Sequence, residues 1–122
     1  MKNNYNVVFD KSDDIVINKL IELASKREIT VFLSKLPSEI KGFYCSTDKI
    51  SIISINNKND IYEERYQLAK MLGHATLHKG IKINCINRKQ TESSLWDKIE
   101  NEADRFARKL ICRIINNDRK AS

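Results

Sequence analysis

Apolar residues recur at intervals of three or four in three segments of the chain, which is the spacing of one face of a helix. These segments predict helices over residues 13–27, 61–78 and 94–116. A capping box at residues 94–97 supports the start of the last helix. Residues 79–92 are polar and are predicted to be irregular. The apolar stripe of the last helix consists of Leu95, Ile99, Ala103, Phe106, Leu110 and Ile114.

Short runs of β-branched and aromatic residues predict three strands, near residues 30–34, 42–46 and 49–56. A turn-like Ser-Thr-Asp sequence at residues 46–48 joins the last two strands as a hairpin. The order helix, strand, hairpin, helix, helix predicts an α+β domain with a small, mostly antiparallel three-stranded sheet packed against three main helices. The length of the chain allows one such domain, over residues 1–122.

The isoleucines of the last predicted strand point to both of its faces. Ile50 and Ile52 fall on one face, whereas Ile53 and Ile55 fall on the other. This switch predicts either a bulge or a strand that is covered on both sides. The residues predicted to be largely buried are Leu20, Val31, Ile52, Leu68, Leu72, Trp96, Phe106 and Leu110.

The formal net charge of +6 favours acidic partners, either nucleic acid or an acidic protein surface. The local density of basic residues along the chain is only modest, and it is highest over residues 79–89 and 113–120. Neither segment has the interleaved aromatic residues of a single-strand binder. A solvated surface is therefore the favoured interpretation, and direct binding of nucleic acid is less favoured.

The cysteines and the apolar runs predict where the protein resides. Cys45, Cys85 and Cys112 are odd in number and widely spaced, so they do not form the close pairs of a cysteine-based zinc site. Residues 1–10 contain no apolar run typical of a secretory signal, and eighteen consecutive apolar residues occur nowhere. These features predict reduced thiols, no membrane partner and a cytoplasmic location.

The most informative segment is residues 65–78, which read Arg-Tyr-Gln-Leu-Ala-Lys-Met-Leu-Gly-His-Ala-Thr-Leu-His. Gly-Phe-Tyr at residues 42–44 and Ile-Ser-Ile-Asn at residues 53–56 precede it, and Glu-Asn-Glu-Ala-Asp-Arg-Phe-Ala at residues 100–107 follows it. In this order and spacing, the chain resembles the ImmA/IrrE-type zinc metallopeptidase family. That family typically shows a Gly-x-Tyr hairpin ending in Ile-x-Ile-Asn, a helix with Ala-His-Glu-x-Gly-His-x-x-Leu-His, and a last helix with Glu-x-x-Ala-Asn/Asp-x-Phe-Ala. The resemblance covers about residues 30–111 and implies a zincin-like fold.

The chain departs from this family at two positions that matter for catalysis. In a zincin, two histidines four residues apart bind zinc, and the glutamate after the first histidine activates the bound water. Lys70 stands at the first histidine and Met71 stands at the general base, although a protonated lysine has no lone pair for zinc and a thioether does not take a proton from water. The resemblance places His74 at the second ligand, Glu100 at the third, and Asp104 at the acid that steadies a ligand in the second shell. No catalytic set is intact, so no cofactor is expected, and zinc is the metal if any binds.

The same residues have other interpretations. Because its partner ligand is missing, His74 is better explained as a histidine that forms hydrogen bonds between two helices than as a metal ligand. Glu100 is either an ordinary exposed acid or a buried one, because Ala103 and Ala107 share its face and would let another helix approach. His78, four residues after His74, could pair with it in a shifted metal site, although in the family this residue lies one turn beyond the metal.

The resemblance implies a catalytically degenerate metallopeptidase-like protein, which is not expected to hydrolyse peptide bonds. Members that resemble this family often sit beside a helix-turn-helix repressor of a phage or mobile element and act on it. Regulatory binding to such a repressor is therefore the predicted function. The alternative is a zinc-dependent peptidase with a site rebuilt from His74, His78 and Glu100, which would cleave that repressor.

A final prediction concerns the replacement of the metal by a side chain. Lys70 and His74 are one helical turn apart, and the resemblance places Glu100 opposite them on the next helix. A buried carboxylate without a counter-charge is costly. The Lys70 ammonium is therefore predicted to lie within salt-bridge reach of Glu100, at about 4 Å or less, and to take over the role of the metal as counter-charge.

Overall fold

A computed structural model describes residues 6–78 and 93–121 of the chain, which form four strands and three helices. In chain order these are β1 (Asn6–Val8), α1 (Ile15–Lys26), β2 (Ile29–Ser34), β3 (Gly42–Ser46), β4 (Ser51–Asn56), α2 (Ile61–Leu77) and α3 (Ser93–Ala121). The α+β class and the three helices are confirmed, and α3 continues five residues beyond its predicted end. The irregular segment predicted at residues 79–92, including Cys85, lies outside the described residues. In the described part of the chain, none of the helices has the length and apolar character needed to span a membrane.

Two helices begin at aspartates that act as N-caps. The Asp14 carboxylate accepts a hydrogen bond from the backbone N–H of Ile17 at 2.9 Å, and Asp60 accepts one from Glu63 at 2.8 Å. Each cap satisfies one of the backbone donors that a helix start leaves without a partner. These local signals explain why the predicted helix starts lie close to the observed ones.

The sheet differs from the prediction. It has four strands in the order β1-β2-β4-β3, so the prediction of three strands was wrong. The outer pairs are antiparallel, but the central pair of β2 and β4 is parallel. β1 has only three residues, which is too short for an alternating pattern to reveal, and it is defined by its pairing with the end of β2. β4 returns from the hairpin into the space between β2 and β3, a non-local arrangement that the sequence pattern does not specify.

The C-terminal half of β4 is covered on both faces. Ile53 and Ile55 are fully buried in the main core, and the intervening Ser54 and the final Asn56 are also buried. Because the pairing of β3 with β4 runs in continuous register, the switch of the isoleucines reflects two covered faces rather than a bulge. Ser54 also forms a hydrogen bond with Ser34 across the parallel pair.

The side chain of Asn56, the last residue of β4, forms hydrogen bonds with the backbone of neighbouring loops. Its Nδ2 lies within hydrogen-bond distance of the carbonyl oxygens of Leu36, Pro37 and Ile40, at 3.3, 3.2 and 2.9 Å. Its Oδ1 accepts a hydrogen bond from the backbone N–H of Lys58 at 3.1 Å. One buried amide therefore satisfies several backbone groups of the loop between β2 and β3.

The main core lies between the sheet and the helices. Among the residues predicted to be largely buried, those that are buried are Leu20, Val31, Leu68, Leu72 and Trp96. Ile52, Phe106 and Leu110 are only half-buried. Phe106 and Leu110 line an apolar cavity of about 230 Å³ between α1, α2 and α3, which accounts for their partial exposure.

Small residues bring α2 and α3 close together. Ala103 and Ala107 on α3 are fully buried. A Cβ atom added at Gly73 would lie 3.0 to 3.2 Å from three side-chain atoms of Phe106. The two helices therefore approach closely at Gly73, where α2 has no side chain. This close contact determines which polar side chains of the two helices can reach one another.

The Asp14 side chain connects the start of α1 to α2 through Arg65, and its loss should lower the stability of the fold. Arg65 donates to both Asp14 oxygens, with its Nη2 at 2.7 Å, and both side chains are mostly buried. Asp14→Ala removes the helix cap and the partner of Arg65, so we expect a loss of about 2 kcal/mol in the free energy of unfolding. Asp14→Asn keeps the cap acceptor and should cost about half as much.

Urea unfolding of both variants measures this difference. Glu22→Ala is the matched control, because it breaks an exposed ion pair with Lys19 on the same helix and should leave the unfolding midpoint unchanged. Equal effects of the two Asp14 variants would show that the cap contributes nothing.

Candidate functional site

The candidate site lies where α2 and α3 face one another. Lys70, His74 and His78 follow at intervals of four residues, so they lie on one face of α2 and its C-terminal cap. Glu100 and Glu102 lie on the two flanks of the buried stripe of α3 and reach toward that face.

Lys70 and Glu100 form the ion pair that the sequence predicted. The Lys70 Nζ lies 2.8 Å from Glu100 Oε1, and the two side chains are only 16% and 20% exposed. The ammonium also lies 5.8 Å from the centre of the Tyr66 ring, so an aromatic face covers it.

The environment of Glu100 favours its charged form. Burial alone would raise the pKa of this carboxyl, but the polar contacts with His74 and Lys70 and the charge of the Lys70 ammonium outweigh burial and lower the pKa to about 2. The interpretation of Glu100 as an ordinary exposed acid was therefore wrong, because the carboxyl is largely buried and paired.

His74 is completely buried between two polar partners. Its Nε2 lies 3.4 Å from Glu100 Oε1, and its Nδ1 lies 3.1 Å from the Nδ1 of His78. The 3.4 Å contact between His74 Nε2 and Glu100 Oε1 is not a well-directed hydrogen bond, so it is mainly electrostatic. His74 thus contacts α3 electrostatically through Glu100, whereas its hydrogen bond is with His78 at the end of its own helix.

His78 continues this chain of contacts to the surface. Its Nε2 lies 2.9 Å from Glu102 Oε1, and its backbone N–H closes the end of α2 on the carbonyl of His74. The tautomers of the two rings decide which nitrogen donates in each of these contacts.

This arrangement does not fit a zinc ion. Lys70 places an ammonium where the family has a histidine ligand, and a cation at that position repels a metal. The shifted site is also disfavoured, because His74 presents Nδ1 to His78 and Nε2 to Glu100, on opposite edges of its ring. Within residues 6–78 and 93–121, no three His, Cys, Asp or Glu side chains are grouped to hold a metal ion.

Met71 and Asp104 lie to either side of this cluster. Met71, at the position of the general base, is 2% exposed and packs in the hydrophobic core. Asp104 accepts hydrogen bonds from Tyr66 at 2.5 Å and from Arg108 at 2.9 Å, and these contacts hold the pKa of Asp104 below its ordinary value. Burial and the bond to Asp104 raise the pKa of Tyr66. Asp104 therefore orients the ring that covers Lys70, rather than a ligand histidine.

Sequence reasoning missed two members of the cluster. Glu102 is two residues from Glu100, and residues at that spacing do not share a helix face, so the pattern gave no reason to place both beside α2. Tyr66 was part of the motif, one turn before Lys70, but its spacing alone did not identify Asp104 as its partner.

Comparison with known proteins gives one match. The family model described as the IrrE N-terminal-like domain, Peptidase_M78, matches residues 24–112, which include the whole polar cluster between α2 and α3. Searches of the curated proteins and of the solved structures gave no significant match.

Proposed function

Because the chain belongs to the family of IrrE N-terminal-like domains, Peptidase_M78, we propose that it is a metallopeptidase-like protein that acts by binding rather than by hydrolysis. The proposed partner is a helix-turn-helix repressor of a phage or mobile element, so that the protein regulates transcription from the cytoplasm. The scaffold in this proposal is zincin-like, with the catalytic set no longer intact. The partner rests on the resemblance of the motifs alone.

One observation supports the proposal that the protein does not hydrolyse peptide bonds. The Lys70 ammonium lies 2.8 Å from Glu100, at the point where the family places its first ligand. Metal-assisted hydrolysis needs a bound metal to lower the pKa of water and a base to accept the proton. Met71 offers no base, and its thioether packs in the core. Neither part of that chemistry is available from these side chains.

The same ion pair supports a role in binding. A Lys70–Glu100 pair between α2 and α3 supplies the charge balance that a metal would otherwise supply. The two helices can therefore keep their close contact without zinc. That contact preserves the protein surface around the position of the metal in the family. A protein with these properties retains a recognition surface but lacks the reaction.

The test uses the product of a helix-turn-helix repressor gene sought among the neighbours of the gene for this protein. Purified protein and repressor are mixed at equal concentration with and without zinc, and mass spectrometry and size-exclusion chromatography follow the repressor. We expect a complex of intact chains under both conditions, and no bound zinc by elemental analysis of the untagged protein.

Cleavage of the repressor would contradict the proposal. His78→Ala is the discriminating variant, because it leaves Lys70 and Glu100 in place but removes one ligand of the rebuilt site. Zinc-dependent fragments that disappear in this variant would establish the peptidase with a rebuilt site instead. Failure of the intact chains to form any complex would reject the repressor as the partner.

A further inference from the structure

The second half of α3 is strongly basic. Residues 105–120 contain six Lys and Arg residues and one Asp, so this segment carries +5 of the formal net charge of +6. The six cationic residues are Arg105, Arg108, Lys109, Arg113, Arg119 and Lys120. The rest of the chain sums to +1, although residues 79–89 carry +4 of their own, which acidic residues elsewhere offset.

The helix places these cations on one exposed face. Successive residues of an α-helix turn by about 100°, so Ala107 and Ile114, which are buried, define the opposite face. All the residues of the exposed face named next are exposed to solvent. The centre line of this face consists of Arg105, Cys112 and Asn116. Arg108 and Arg119 lie on one flank, and Lys109, Arg113 and Lys120 lie on the other. We call these residues the basic face.

Three of the six cations on the basic face have no acidic partner among the residues that the structure describes. Lys109, Arg113 and Lys120 form no ion pair with any residue in the part of the chain that the structure describes. Arg108 contacts Asp104, but its side chain remains 74% exposed. Within the described ranges, the charge of Lys109, Arg113 and Lys120 is not neutralised, so it is available to an outside partner.

The last turns of α3 are exposed to solvent. Residues 116–120 are all exposed, in contrast to Ile114, which still packs on the core. From Arg105 to Lys120 the basic face is about 23 Å long at 1.5 Å per residue. This part of the helix can approach a large partner without a clash from the sheet.

We infer that the basic face binds the phosphate backbone of a double-stranded nucleic acid. An α-helix with side chains is about 10–12 Å wide, and the major groove of B-DNA is about 12 Å wide. A helix lying in the groove turns its two flanks toward the two phosphate strands, and both flanks of the basic face carry cations. Its centre line then faces the base edges, where Arg105 and Asn116 provide hydrogen-bond donors.

Two other partners match the basic face less well. A membrane-surface helix needs an exposed apolar side, whereas the apolar side of α3 is packed against α1 and α2. An acidic protein surface would also attract cations, but its binding would not require cations on both flanks of the helix. The inference goes beyond the proposed function, since it needs no repressor and no remnant of the metal site.

The test measures binding of the full chain to a fluorescent 20-base-pair duplex of arbitrary sequence as a function of salt concentration. With five or six phosphate contacts, the logarithm of the binding constant should fall against the logarithm of salt with a slope of about −5. The variant Lys109→Gln/Arg113→Gln/Lys120→Gln should reduce the magnitude of this slope by about 2.7. Circular dichroism should show unchanged helix content, because all three side chains are exposed.

A control variant of equal charge separates a local site from the effect of net charge. Lys41→Gln/Lys49→Gln/Lys58→Gln also removes three exposed cations but leaves α3 intact, so it should keep the slope of the parent protein. Equal losses in both variants would overturn the assignment to the basic face. Three other results would also overturn the inference: no binding to the duplex at 50 mM salt, equal binding to single strands, or equal competition by polyglutamate of the same charge.

Discussion

Lys70→Ala should lower the free energy of unfolding by about 2–3 kcal/mol, and Glu100→Gln should lower it by only about 1 kcal/mol. Alanine leaves the largely buried Glu100 carboxylate without its ammonium, whereas glutamine leaves a neutral amide beside Lys70. Both side chains of the pair are mostly buried, which is why the expected effect exceeds that of a surface ion pair. Urea unfolding at pH 7 measures both values.

Lys70→Met is the control for packing. Methionine keeps most of the aliphatic stem that lies beside Tyr66 but removes the charge. We expect it to cost nearly as much as Lys70→Ala if the counter-charge matters most. A Lys70→Met variant as stable as the parent protein would show that the ammonium does not replace a metal as counter-charge.

The contribution of this pair should depend on pH in one direction. The pKa of Glu100 in the folded protein is about 2, below its ordinary value of 4.5. A depressed carboxyl pKa stabilises the fold above the unfolded value and loses that contribution as the pH falls through the folded value. The shift corresponds to about 3 kcal/mol, which solvent screening reduces to about 2 kcal/mol because part of the side chain is exposed.

This pH dependence can be measured against a variant that lacks both charges. The difference in stability between the parent protein and Lys70→Met/Glu100→Gln should be constant from pH 7 to about 5 and should shrink between about pH 4.5 and 2. A difference that does not change with pH down to 2 would show that Glu100 is not held in its charged form by its surroundings.

Lys70→His should create a zinc site from two histidines and one carboxylate. Histidine at this position lies one turn before His74, and Glu100 already faces both positions from α3. At a free zinc concentration 1,000 times the dissociation constant, binding should add about 4 kcal/mol to the free energy of unfolding. The measurement is the melting temperature with and without zinc, together with calorimetric titration.

The double variant Lys70→His/Met71→Glu should also bind zinc, at a cost in stability without the metal. Met71 is almost fully buried, so a carboxylate at this position loses hydration that only a metal or water could replace. Lys70→Gln is the control, because it removes the charge without adding a ligand and should not respond to zinc. If neither histidine variant binds zinc, the helices no longer hold His74 and Glu100 in a geometry that a metal can use.

The sequence predicted the helices and most of the strands because their signals are local. The second helix was predicted over 61–78 and is observed over Ile61–Leu77, and the hairpin strands lie close to their predicted positions. Helical spacing also placed Lys70 and His74 on one face, since that relation depends on the backbone alone. The motifs around them identified Glu100 as the facing residue, and the structure brings the three together.

Contacts between distant segments were decided only by the tertiary structure. The parallel pairing of β2 with β4 and the addition of β1 depend on how the chain returns through space. The contacts of His78 with His74 and Glu102, and of Tyr66 with Asp104, depend on the close approach of α2 and α3. The sequence by itself determined which residue types stand at each motif position and which share a helix face. Which of those faces meet, and which remain exposed as the basic face does, follows from packing across the whole domain, because burial is shared among segments far apart in the chain.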